Sequence, residues 1–92
     1  MSNSAQRKLT IVNEKGLHAR ASAKFVEMVE GYDASARAQK DGLDADGDSI
    51  MGLLMLAASK GTTIDVSTTG PQAEALMDAL DALVANKFDE GV

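Results

Sequence analysis

The sequence predicts an α+β fold, an open-faced two-layer sandwich with a four-stranded antiparallel sheet and three helices on one face, in the order β-α-β-β-α-β-α. Three observations predict it. Two segments, "KLTIV" from Lys8 and "TTIDVSTT" from Thr62, alternate in the strand period. Between and after them lie segments whose apolar residues recur at helical spacing. Asp41-Gly42 supplies a hairpin turn in mid-chain. Helices that bury one stripe must cover a sheet that buries one face, which gives the two layers.

Each element has its own justification. In "KLTIV", Leu9 and Ile11 share a face, so the first strand starts near Lys8, and the polar residues 1–6 before it are expected to fray. From Leu17 the period turns helical, with Leu17, Ala21, Phe25, Met28 and Val29 on one stripe. This helix runs from about His18 to Glu30, with Gly31 as a left-handed terminator. Ala34, Ala36 and Ala38 alternate with Ser35, Arg37 and Gln39 in a second strand, and Leu43 to Ala45 return from the turn as a third.

In "DSIMGLLMLAASKG", Asp48 or Ser49 can cap a helix that carries Ile50, Leu53, Leu54 and Ala57 on one face and closes at Gly61. Its interior Gly52 makes that helix short or irregular. Thr62 to Thr69 form the fourth strand. "TGPQAEALMDALDALVANKF" is the last helix, with Pro71 at its first position and Leu76, Leu80, Leu83 and Val84 as the buried stripe. The 92 residues hold one core and so one domain, 1–92.

Composition narrows the function. The net charge of −5 argues against nucleic-acid binding, which needs a basic face. There is no cysteine and only one histidine, which excludes thiolate and multi-histidine metal sites; no metal and no cofactor are expected. No apolar run approaches the roughly 18 to 20 residues that span a bilayer, so no membrane association is expected and a cytoplasmic monomer is.

The one histidine, His18, stands at the start of the first helix in "KGLHARASAKF". A helix start presents unpaired N–H groups and a positive dipole end, which favour an anion. A neutral imidazole offers one nitrogen lone pair as a nucleophile, and a phosphoryl group attached to it would meet the backbone N–H groups of Ala19 and Arg20. The Arg20 guanidinium can match phosphate oxygens with paired donors. Gly16 permits a tight turn or close backbone approach just before. Taken alone, the same pattern also suits an ordinary capping histidine and a solvated arginine.

Three ordered motifs, "GLHARASAKFV", "DSIMGLLMLAASKG" and "TGPQAEAL", resemble the HPr family of phosphocarriers of the bacterial phosphoenolpyruvate-dependent phosphotransferase system. The resemblance covers about Lys8 to Phe88, and "LLMLAASKG", "TGPQ" and "KFDE" are most similar to its nitrogen-related branch. It implies the HPr-like sandwich, His18 as phosphoryl acceptor through Nδ1, and Arg20 as the residue that steadies the phosphate. It implies enzyme I as donor and an enzyme IIA protein as acceptor, in sugar transport or nitrogen-related regulation. Such a carrier is a transfer intermediate, not an enzyme with turnover of its own.

By the same resemblance Ser49 takes the place of a serine modified by a dedicated kinase and phosphorylase. Ile50, Met51 and Leu54 take the place of a partner-docking patch. Apart from the resemblance, Lys24 can face acidic partner surfaces, although a lone surface lysine is usually solvated. The chain departs from the family at Ala21, where proline is usual, and at Asp48, where a basic residue often precedes the serine. A helix as short as the second cannot bury all of "IMGLLML"; Met51 is expected to be exposed, and Leu53 and Leu56 to be core. Two other classes compete: a docking regulator of the same fold, and a small-molecule-binding domain using "KDGLDADGD", whose acidity disfavours phosphate ligands.

Overall fold

The computed structural model describes residues 3–90. In chain order these form β1 (Ser4–Thr10), α1 (Ala19–Glu30), β2 (Ser35–Lys40), β3 (Leu43–Asp46), α2 (Ile50–Met55), β4 (Thr63–Thr69) and α3 (Ala73–Ala85), then a single turn at Lys87–Asp89. The sheet order is β1-β4-β2-β3, with every pair antiparallel. Leu9 lies opposite Ile64, and Ala38 lies between Val66 and Ala45. Asp41 and Gly42 both hold positive φ, 50° and 81°, as the tight hairpin between β2 and β3 demands.

One face of the sheet is apolar. Leu9, Ala36, Ala38, Ala45, Ile64 and Val66 are buried there beneath the helices. Phe25 of α1, Leu53 of α2 and Leu76, Met77 and Leu80 of α3 close the core from the other side, all fully buried. The opposite face is polar. On it Lys8 pairs with Asp65 at 3.0 Å, and Arg37 with Asp46 at 2.7 Å. Alanine is a poor strand former, yet Ala36 and Ala38 hold β2 at the centre of the sheet because pairing on both edges and burial outweigh propensity.

The structure corrects several element boundaries. The first strand begins at Ser4 rather than Lys8, and residues 4–6 pair with Ser67 to Thr69 instead of fraying; residues 1 and 2 lie outside the described residues. Alternation sees only the buried Leu9, whereas the ladder is held by β4. Gly31 closes α1 in the right-handed region, φ −81°, because its N–H still reaches the Met28 carbonyl at 3.2 Å. α2 ends at Met55, six residues before Gly61; Ala57, at φ +51°, takes the left-handed turn. α3 starts at Ala73, not Pro71, because Gln72 is tied to the loop after α1: its N–H donates to the Asp33 carbonyl at 3.0 Å, and its Oε1 accepts the Asp33 N–H at 2.7 Å. The same helix stops at Ala85 and does not reach Phe88.

Candidate functional site

Two loops meet at the start of α1. The segment after β1 is held to the segment before β4 by Ile11 N–H to the Thr62 carbonyl, 2.9 Å, and Gly61 N–H to the Ile11 carbonyl, 2.7 Å. Leu17 N–H then reaches the Ala58 carbonyl at 2.9 Å. Gly16 makes the junction possible. Its φ is +65°, and a Cβ there would stand 2.4 Å from the Ala58 carbonyl oxygen. The chain is thereby aimed so that His18 becomes the N-cap of α1, with extended backbone (φ −78°, ψ −176°).

The imidazole is half-buried and contacted on both nitrogens. Nδ1 accepts the backbone N–H of Arg20 at 3.3 Å, so it points at the unpaired donors of the helix start. Nε2 faces a carboxylate oxygen of Glu90, which arrives from the far end of the chain. The other oxygen of Glu90 accepts Asn13 Nδ2 at 2.9 Å, and that same nitrogen donates to the Gly16 carbonyl at 2.8 Å. Burial pushes the Glu90 carboxyl up; the hydrogen bonds from Asn13 and His18, with the charges of His18 and Lys15, more than reverse it, so it lies below the ordinary glutamate value. The arrangement therefore offers an oriented imidazole with one nitrogen at a helix N-terminus and the other against a carboxylate.

Arg20 is exposed, and its guanidinium pairs with no carboxylate among the described residues. It is free to turn toward an anion placed beside Nδ1.

The family described as "PTS HPr component phosphorylation site" matches residues 5–86. The chain belongs to the HPr family of phosphotransferase-system phosphocarriers. It is 46% identical over 86 residues to the phosphocarrier protein HPr of Cupriavidus necator, covering 94% of this chain and 97% of that one. It is 42% identical to the phosphocarrier protein NPr of Escherichia coli, covering 87% and 90%. Relatives named HPr and NPr both match, so the names place the chain in the family and in neither branch. Among solved structures, an HPr from Thermoanaerobacter tengcongensis superposes with a TM-score of 0.89 at 32% identity, covering 96% of this chain and 99% of that one. An HPr from Bacillus anthracis superposes with a TM-score of 0.83 at 34% identity, covering 88% and 96%.

The other HPr-type positions fall in two groups. Ala19 and Arg20 form the first turn of α1 beside His18, and Ala21, in the place of the usual proline, is the third residue of that helix and fully buried. Ser49 is the N-cap of α2; its Oγ accepts the Gly52 N–H at 3.0 Å. Ile50 and Met51 are exposed, at 40% and 69%, and Leu54 is half-buried, while Leu53 and Leu56 are core as expected. Lys24 is half-buried and donates from Nζ to the Phe88 carbonyl at 2.9 Å.

Sequence reading missed Asn13, Glu90 and Met55. Asn13 and Glu90 are 77 residues apart and meet only through the fold, so no local pattern marks them. Met55, 70% exposed, was findable: it lies four residues after Met51 on the same side of α2.

Proposed function

We propose that His18 takes a phosphoryl group from enzyme I on Nδ1 and hands it to an enzyme IIA protein, in sugar transport or nitrogen-related regulation. The observation that carries this is the placement of Nδ1 at the start of α1, where it already accepts the Arg20 N–H. A phosphoryl group bound there would take over that donor and those of its neighbours, with the exposed Arg20 guanidinium matching its oxygens. In the step, the Nδ1 lone pair forms the bond to phosphorus, and the bond from phosphorus to the donor breaks with its electron pair leaving on the donor.

The carrier acts as a cytoplasmic monomer without cofactor and without turnover of its own. No helix among the described residues is long and apolar enough to cross a membrane. Ile50, Met51 and Leu54 form the docking surface. Lys24 contributes to it only after leaving the Phe88 carbonyl. Ser49 is the regulatory serine of this reading: a phosphate there would add about −1.5 to −2 charges beside Asp46 and Asp48 and remove the cap of α2.

Incubation with phosphoenolpyruvate and enzyme I of each branch tests the reading. An acid-labile mass gain of one phosphate, absent in His18→Ala, is expected. No gain with either enzyme I, or a gain that survives in His18→Ala, overturns it. The exposed methionines of α2 favour a second role, docking that depends on phosphorylation state. A partner that still binds His18→Ala, and whose binding to the natural protein changes when His18 is phosphorylated, would be its mark.

A further inference from the structure

Sulfur is unevenly placed in this protein. The 92 residues contain no cysteine and five methionines, so oxidant-reactive sulfur is confined to thioethers. Met1 lies outside the described residues. Met77 of α3 is fully buried in the core, and Met28 of α1 is partly buried against it. Met51 and Met55 are the reverse, 69% and 70% exposed. Both belong to α2, whose six residues carry no charge. They stand four residues apart, about one helical turn, so their side chains share one side of it.

The fold does not depend on these two side chains. α2 is anchored by Leu53, which is fully buried, and its start is capped by Ser49 Oγ, which accepts the Gly52 N–H at 3.0 Å. Neither contact involves Met51 or Met55. A change of polarity at the two sulfurs therefore leaves the anchors of α2 in place and alters its surface alone. The same change at Met77 would put a polar group into the core, at a cost to the whole fold.

We propose that Met51 and Met55 form a modification site for hydrogen peroxide: their oxidation to sulfoxides weakens partner docking at α2 without unfolding the protein. In each step a sulfur lone pair bonds to one peroxide oxygen and the O–O bond breaks. Sulfur is oxidised by two electrons, and the other oxygen leaves with both hydrogens as water. Each sulfoxide sets a polar acceptor where an adaptable apolar side chain stood. A docking partner must then strip water from that oxygen, a cost the thioether does not carry. A sulfoxide reductase reverses the step: the oxygen leaves as water while two thiols close to a disulfide. The effect on docking rests on the reading of α2 as the docking surface; the order in which the methionines oxidise does not.

The full chain is treated with graded hydrogen peroxide, the peroxide is removed, and each methionine is followed by peptide mass mapping. Met51 and Met55 are expected to gain one oxygen each well before Met28 and Met77. The oxidised protein keeps its melting temperature but needs about tenfold more enzyme I for half-maximal phosphoryl transfer. Sulfoxide reductase with a dithiol restores the original curve. Met51→Leu with Met55→Leu gives the same curve before and after peroxide. Oxidation of Met28 or Met77 at the same pace, or a peroxide effect that survives in the double leucine variant, overturns the proposal. Selective oxidation with an unchanged curve overturns it too. Met51→Ala with Met55→Ala then shows which reading failed: a raised half-maximal concentration keeps α2 as the docking surface, and an unchanged one removes it. Failure of the untreated protein to take phosphate would sink the acceptor reading instead, and the order of oxidation would still decide the modification site.

Discussion

The two helix starts that carry this protein's candidate chemistry are built in opposite ways. Around His18, at α1, polar groups are buried and committed: Asn13 to Gly16 and Glu90, Glu90 to His18, His18 to Arg20. At α2, six residues long, the Ser49 side chain caps the start, and Ile50, Met51 and Met55 face solvent. The first end fixes atoms in place, which group transfer needs. The second offers adaptable apolar side chains, which suits recognition of more than one partner. Substitutions should therefore cost fold stability at the first end and partner affinity at the second.

The largest effect is expected at Gly16. In Gly16→Ala the new methyl meets the Ala58 carbonyl, and the backbone must keep a left-handed φ. A loss of about 3 kcal/mol in urea unfolding is expected. A stability near that of the natural protein would mean that the two loops are not locked together, and the contrast between the two ends would collapse.

Asn13→Ala comes next. It leaves the Gly16 carbonyl and the Glu90 carboxylate without their shared donor, at about 2 kcal/mol. Part of that cost depends on pH, and its sign follows from Glu90. A carboxylate held below its ordinary value, 4.5, stabilises the fold fully above that value and loses the contribution as pH falls through the lowered one. Asn13→Ala raises the folded-state value toward the ordinary one. The stability gap between the two proteins is thus widest above 4.5 and narrows in acid. A gap that stays constant with pH would show that Asn13 acts on Gly16 alone.

How much of this was legible in the sequence differs between the same two ends. The order of elements, the Asp41-Gly42 hairpin, the cap at Ser49, the exposed Met51 and the buried Leu53 and Leu56 follow from local period and turn chemistry, and the structure has them. His18 at the helix start was equally local. What surrounds it was not. Glu90 reaches Nε2 because three left-handed residues reverse the chain after α3, and none of the three is a glycine that would announce the turn. The periodic pattern simply continued through "ANKF" as helix. The expectation that Ser4 to Gln6 fray fails for a similar reason, since backbone pairing with β4 holds these three residues without their side chains being buried.

The α2 end gives the smaller effects. Ser49→Ala removes the cap and should cost about 1 kcal/mol, read by thermal unfolding at constant pH. Met51→Ala with Met55→Ala should change stability by no more than about 0.5 kcal/mol, because both side chains are some 70% exposed in the fold and lose little burial. Their value lies in the kinetics. If these methionines dock partners, the double variant raises the concentration of enzyme I needed for half-maximal transfer and leaves the rate at saturation alone. A double variant that slowed the saturated step would place Met51 and Met55 in the positioning of His18, and the division of labour between the two helix starts would not hold.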